Sequence, residues 1–200
     1  GGRVALVDRG RKGGQELAVD QIELTLADLA SGRPLDARLR AAVLSAKPNL
    51  DLRLRSSPLP STLRPVIESV SLRVEPVDLA PLAPFVPGLG LEGGRLEAAL
   101  EAALGGALPG GSGPTRLKGG MKATGLAFRG GRPFDAALDA DLDGDAGKGD
   151  LSISRLRLDV GPASLTGRGR VTGLAAGSPR VEGLEVVSRD DGEATVRAAE

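Results

Sequence analysis

Residues 17–26 read LAVDQIELTL and residues 151–160 read LSISRLRLDV. Both carry apolar side chains at the first, third, sixth, eighth and tenth places: Leu17, Val19, Ile22, Leu24 and Leu26 in one, Leu151, Ile153, Leu156, Leu158 and Val160 in the other. A spacing of two is the side-chain period of a β-strand, so each stretch reads as a strand whose alternation slips once. Such a slip throws every later side chain onto the opposite face unless one extra residue is absorbed, and a bulge or bend absorbs it. Looser copies start at Pro65 (Ile67, Val70, Leu72, Val74), Leu91 (Gly93, Leu96, Ala98, Leu100), Met121 (Ala123, Leu126, Phe128) and Pro179 (Val181, Leu184, Val186). From Pro65 onward the starts lie 26 to 30 residues apart, the scale of a repeated supersecondary unit.

The chain around these copies is built the same way. Residues 3–8 form a short strand, followed by a basic, glycine-rich turn at 9–14 that reads as a solvated loop. Leu35, Ala37, Leu39, Ala41 and Val43 alternate with Asp36, Arg38, Arg40 and Ala42, and after the turn Lys47-Pro48-Asn49, Leu50, Leu52 and Leu54 alternate with Asp51, Arg53 and Arg55. This is a hairpin with one apolar and one charged face. Residues 78–86 break the pattern: Asp78 can cap one or two helical turns, Pro81 is tolerated in the first, and Pro84 prevents anything longer. Residues 91–104 fit a strand entered through glycines, and 107–114 is a glycine-rich loop and the internal boundary. Strands at 117–128, 134–142, 151–160, 163–171, 181–188 and 194–198 then follow at meander spacing. The expected fold is mainly β: elongated antiparallel sheet repeats forming an open groove or twisted half-barrel, with one short helical segment near 78–86. Residues 1–106 make one part of the groove and 115–200 continue it.

Composition narrows the function. With 26 basic and 26 acidic residues there is no long-range field to steer the chain to nucleic acid. The chain has no Cys, which excludes a disulfide framework and thiolate metal sites. No apolar run approaches the roughly 18–20 residues of a membrane-spanning helix. The start, Gly1-Gly2-Arg3-Val4, has neither Met nor a signal peptide, so the chain reads as a segment of a longer protein. His, Cys and Tyr, the residues most readily tuned for acid–base or nucleophilic work, are all missing, and no Ser-x-x-Lys motif replaces them. The chain is therefore not expected to be an enzyme, and no cofactor is expected.

Asp139-Ala140-Asp141-Leu142-Asp143-Gly144, with Asp145 and Asp150 at the seventh and twelfth places, matches the opening of an EF-hand calcium loop. The twelfth residue is not the bidentate Glu and no helix flanks the run. Phe134, Ala136, Leu138, Ala140 and Leu142 alternate through it, so the Asp residues read as the wet face of a strand. Gly144-Asp145-Ala146-Gly147-Lys148-Gly149 lacks the spacing and the hydroxyl residue of a phosphate loop.

Strands that are apolar on one side must cover that side with a second sheet, by closure or with a ligand. An outer-membrane barrel carries aromatic girdles, and this chain has three Phe and no Trp or Tyr. The stretch Val66-Ile67-Glu68-Ser69-Val70-Ser71-Leu72-Arg73-Val74 running into Val77-Asp78-Leu79-Ala80-Pro81-Leu82, then Leu91-Glu92-Gly93-Gly94-Arg95-Leu96, resembles the AsmA-like family. So do Leu151-Ser152-Ile153-Ser154-Arg155-Leu156-Arg157-Leu158 and Ala163-Ser164-Leu165-Thr166-Gly167-Arg168-Gly169-Arg170-Val171. The resemblance rests on patterning over most of the chain. It implies a bacterial envelope protein with an amino-terminal inner-membrane helix and a periplasmic repeating β-groove that carries phospholipid toward the outer membrane. No family motif transfers a binding residue, so alternation alone supplies the acyl-chain lining: Val19, Ile22, Leu24, Leu39, Leu52, Leu72, Leu138, Leu142, Ile153, Leu156, Leu158 and Leu165. The partners implied are phospholipid acyl chains, with membrane contact made by other parts of the parent protein and no nucleic acid. Two other readings stand beside this one: a structural or adhesive repeat with a closed core, and a calcium-stabilised module using residues 139–145.

Overall fold

The computed structural model describes residues 1–8, 15–28, 30, 32–58, 66–108, 114–145, 149–173, 177–178, 180–190 and 192–197. The basic turn at 9–14, most of the glycine-rich loop at 109–113, and residues 146–148 of the phosphate-loop-like run lie outside them. The strands are β1 (Gly2–Asp8), β2 (Gln15–Ala27), β3 (Pro34–Val43), β4 (Leu50–Pro58), β5 (Ile67–Asp78), β6 (Leu91–Leu108), β7 (Thr115–Phe128), β8 (Phe134–Asp145), β9 (Asp150–Val160), β10 (Ala163–Thr172), β11 (Arg180–Asp190) and β12 (Gly192–Arg197). They form one 12-stranded antiparallel sheet in which spatial order equals chain order, and the sheet is not closed into a barrel. Residues 107 and 108, read from sequence as the start of the glycine-rich loop, continue β6, which also runs past the expected strand end at 104. The paired β6 and β7 carry the sheet across the expected boundary without a break. β8 is strand throughout, so Asp139, Asp141 and Asp143 are strung along an extended backbone and do not wrap around a point.

All six slips in the apolar rhythm fall where the ladder shifts register. The step from Val19 to Ile22 lies on the β2–β3 shift between Asp20 and Glu23, and that from Ile153 to Leu156 on the β9–β10 shift. The steps at Ile67, Gly93, Ala123 and Val181 coincide with shifts between β4 and β5, β6 and β7, β7 and β8, and β10 and β11. Bulges often need a residue in the left-handed region, where a Cβ crowds the backbone. The fifth place of the rhythm holds Gly125 at φ 61° and Gly183 at φ 56°, and the first copy has Gln21 there at φ 52°. Pro76, which has no ladder donor, sits inside β5 because the β5–β6 register shifts between Val74 and Val77.

Turns are held by side chains where the backbone alone leaves groups unmet. Asn49, 7% exposed, accepts from the Val43 N–H at 2.7 Å through Oδ1 and donates to the Val43 carbonyl at 3.0 Å. Ser56, 1% exposed, accepts the Leu35 N–H at 3.0 Å beside the β3–β4 shift. Between β5 and β6 the non-strand stretch forms a 3₁₀ segment, Ala80–Phe85, and a second 3₁₀ turn, Pro87–Leu89. Asp78 Oδ1 accepts the Ala80 N–H at 3.0 Å and Pro84 lies inside the segment, in keeping with a short helical stretch. The apolar copies do not mark equal units of the fold: those starting at Pro65, Leu91 and Met121 fall on the adjacent strands β5, β6 and β7, while those starting at Leu151 and Pro179 fall on β9 and β11, two strands further on each time.

Gly94 has φ 135°, and a Cβ there would stand 3.1 Å from Leu126 Cα and 3.3 Å from the Gly125 carbonyl oxygen. Gly94→Ala is therefore expected to cost about 1–3 kcal/mol of stability. Gln21→Gly is expected to gain up to about 1 kcal/mol by removing the left-handed strain of a non-glycine residue. Denaturant unfolding of the two variants checks both signs, and a loss on Gln21→Gly would show that its 2.9 Å bond to the Ala46 carbonyl outweighs the strain.

Candidate functional site

Residues directly opposite each other in an antiparallel pair share a face, so the registers map the apolar surface. Leu24 faces Leu39, Leu39 faces Leu52, and Leu52 faces Leu72, forming a run of leucine across β2 to β5. Leu138 faces Leu158, which faces Leu165, and Leu142 faces Ile153. Leu156 lies between Ala140 and Gly167. Val19 and Ile22 stand on the same side of β2, either side of its bulge, Val19 opposite Val43. All twelve residues that alternation selects thus share one face.

They fall into two clusters, on β2–β5 and on β8–β10, and the residues that join them were left out of that selection. Leu72 continues into Leu100, Gly119, Ala140 and Leu156, and Val74 into Ala98, Met121 and Leu138. Leu100 and Met121 occupy rhythm positions, so the sequence did signal them. Ala140 stood in the alternation read through residues 134–142, whereas Gly119 was hidden because glycine carries no apolar signal. Yet Gly119 has a packing role: a Cβ there would lie 3.0 Å from Leu100 Cδ1, so the leucine of β6 fills the space over the glycine of β7.

Parts of this face are exposed to solvent. Leu24 is 63% exposed, Met121 44% and Val181 57%, while the leucines of β4 to β6 are half-buried against cross-strand neighbours. Elsewhere the same face is buried, toward the 3₁₀ end at Ala41 (3%), Val77 (6%) and Ala123 (6%) and toward the other end at Ala102 (8%) and Leu104 (9%).

The opposite face is a lattice of charge. Arg38 Nε and Nη2 donate to the two carboxylate oxygens of Asp51 at 3.0 and 2.5 Å, and Arg53 donates to the same pair at 3.3 Å. Arg38 and Arg53 stand directly opposite each other, so Asp51 offsets a like-charge repulsion as well as making bonds. Hydrogen bonds from Arg38, then Arg53, hold the Asp51 carboxyl well below the usual carboxylate range. Arg157 bonds Asp159 at 2.8 Å and Arg168 pairs with Glu185 at 2.7 Å. Between these pairs lies a hollow of about 820 Å³ over β4 to β8, floored by Ala99, Gly120 and Ala137 and rimmed by Arg53, Arg73, Glu97, Glu101, Lys122 and Asp139. Among the described residues, no group of three or more carboxylates converges as a cation would require.

Set against protein-family models, curated proteins and solved structures, the chain matches none.

Because Asp51 has a lowered folded pKa, its stabilisation is present above the unfolded value of about 3.9 and is lost as pH falls through the folded one. Asp51→Asn is expected to lower Tm at pH 7, and the gap from the parent chain is expected to close progressively below about pH 4. Thermal melts of the two proteins from pH 7 to pH 2 check this. A pH-independent gap would assign the loss to packing.

Proposed function

We propose that this chain is a periplasmic segment of an AsmA-like envelope protein, one that holds acyl chains on its apolar face and conducts phospholipid between the inner and outer membranes. The observation that carries the reading is one continuous apolar face, shared by paired residues from β2 to β11, on which Leu24, Met121 and Val181 are exposed. A ligand that slides must bind without a fixed polar anchor. Burying a methylene gains about 0.8 kcal/mol wherever on the face it happens, so acyl chains are held by area while the headgroup stays in water. The lining is aliphatic and small, so it offers few protruding side chains to stop such movement. The resemblance in patterning supplies the envelope setting, with membrane contact assigned to parts of the parent protein outside this chain.

Native mass spectrometry of the chain purified from bacterial membranes under mild conditions is expected to show phospholipid adducts. Leu24→Asp together with Met121→Asp places charge on two exposed sites, where folding survives, and is expected to abolish the adducts with the circular dichroism unchanged. A lipid-free mass with no uptake of a lipophilic dye would overturn the conduit in favour of a closed repeat.

A further inference from the structure

The charged face holds a second hollow, of about 460 Å³, over β2 to β5, a volume within the range of small-molecule sites. Its lining differs from that of the larger one. On β4, Arg53 and Arg55 reach it from positions two residues apart, and on β5 Ser71 and Ser69 stand directly opposite them. The four residues mark a square about 5 Å wide across the strands and about 7 Å long along them. Arg38 stands opposite Arg53 on the other side, from β3. The donors of this square are positioned but unspent. The Asp51 carboxylate accepts from Nε and Nη2 of both Arg38 and Arg53, which orients the two guanidinium planes and leaves Nη1 of each without a bond among the described residues. Arg55 stands opposite Asp36, yet among the described residues Arg55, Ser69 and Ser71 make no side-chain hydrogen bond or ion pair. Arg55 and Ser71 are exposed and Ser69 is half-buried, so a ligand can reach all three.

We propose that Arg53, Arg55, Ser69 and Ser71 bind the phosphate group of a small soluble phosphate ester. A phosphate presents acceptor oxygens in several directions, and the square answers with two guanidinium groups and two hydroxyls, all able to donate. Its size is limited by the carboxylates around it. Asp36 stands beyond Arg55, Asp51 beside Arg53, and Glu101 opposite Ser71. An anionic membrane surface or a nucleic acid would lay negative charge over these carboxylates as well as over the square, and is repelled; a single phosphate sits inside them. The site lies on the face opposite the acyl-chain lining, so it goes beyond the lipid reading and does not rest on it.

Glycerol 3-phosphate has no acyl chain, so binding it tests this site alone. The chain labelled with ¹⁵N-arginine would be titrated with it at constant ionic strength, set with sodium chloride. The side-chain Nε–H resonances of Arg53 and Arg55 are expected to shift and saturate. Arg55→Gln is expected to weaken the fitted affinity about tenfold or more, and Ser69→Ala to weaken it by a smaller factor, with circular dichroism unchanged in both. Arg132→Gln, which removes an exposed arginine between β7 and β8, is expected to leave the affinity as it was. The absence of a saturable shift at both arginines would overturn the site, and so would equal weakening by Arg132→Gln, which would mark a response to overall charge. Flotation with phosphatidylglycerol vesicles that Arg55→Gln abolishes, in a chain that does not bind the soluble ester, would overturn it in favour of a membrane surface.

Discussion

The structure depends on keeping alternation in phase. A sheet with only one apolar face tolerates no uncompensated slip, because a displacement of one residue turns every later leucine to water and every later arginine inward. Long strands twist and bend, and bending uses bulges that each insert one residue. The chain meets both demands by writing the extra residue into the apolar rhythm itself, so that Val19 and Ile22, three apart, stand on the same side of β2. The same device recurs from β2 to β11, with glycine at the left-handed place in two later copies and Gln21 in the first. Phase is therefore preserved across the whole sheet.

A single-layer sheet has little depth in which to bury anything, and its stability has to come from neighbours within the layer. On the apolar side this is cross-strand contact, with leucine against leucine over β2 to β5 and leucine over glycine between β6 and β7. On the charged side it is the Arg38–Asp51–Arg53 cluster and the pairs Arg157–Asp159 and Arg168–Glu185. Exposed ion pairs contribute little singly. Their greater effect is on register, since Arg38 opposite Arg53 is tolerated only with Asp51 between them.

Most of the fold was legible because strand formation here is a local property of the sequence. The period of two, the Lys47-Pro48-Asn49 turn and the slips at Gln21 and Ser154 are all encoded within ten residues of where they act. The extension of β6 to Leu108 was not legible, since Gly105 and Gly106 argue locally for a loop and only pairing with β5 and β7 makes them strand. The face was legible wherever an apolar side chain marked it and invisible at Gly119, whose role is to leave room for Leu100. The placement of the 3₁₀ segment was also beyond reach, because its contact with β2 joins residues more than fifty positions apart.

The scarcity of aromatic residues becomes intelligible on this geometry. Rings dominate cores because each buries a large area against a facing layer. With one sheet and a single six-residue 3₁₀ segment beside it, there is little facing layer for a ring to meet. The two rings on the sheet, Phe128 and Phe134, stack on each other with centroids 5.9 Å apart at the hairpin joining β7 and β8. Phe85 belongs to the 3₁₀ segment. Elsewhere the apolar face is lined by Leu, Ile, Val, Ala, Gly and one Met. A lining of that kind makes a low, even surface. An even apolar surface binds a flexible hydrocarbon at any position along it with nearly the same energy, and that is the physical condition for a chain to be held and yet to move.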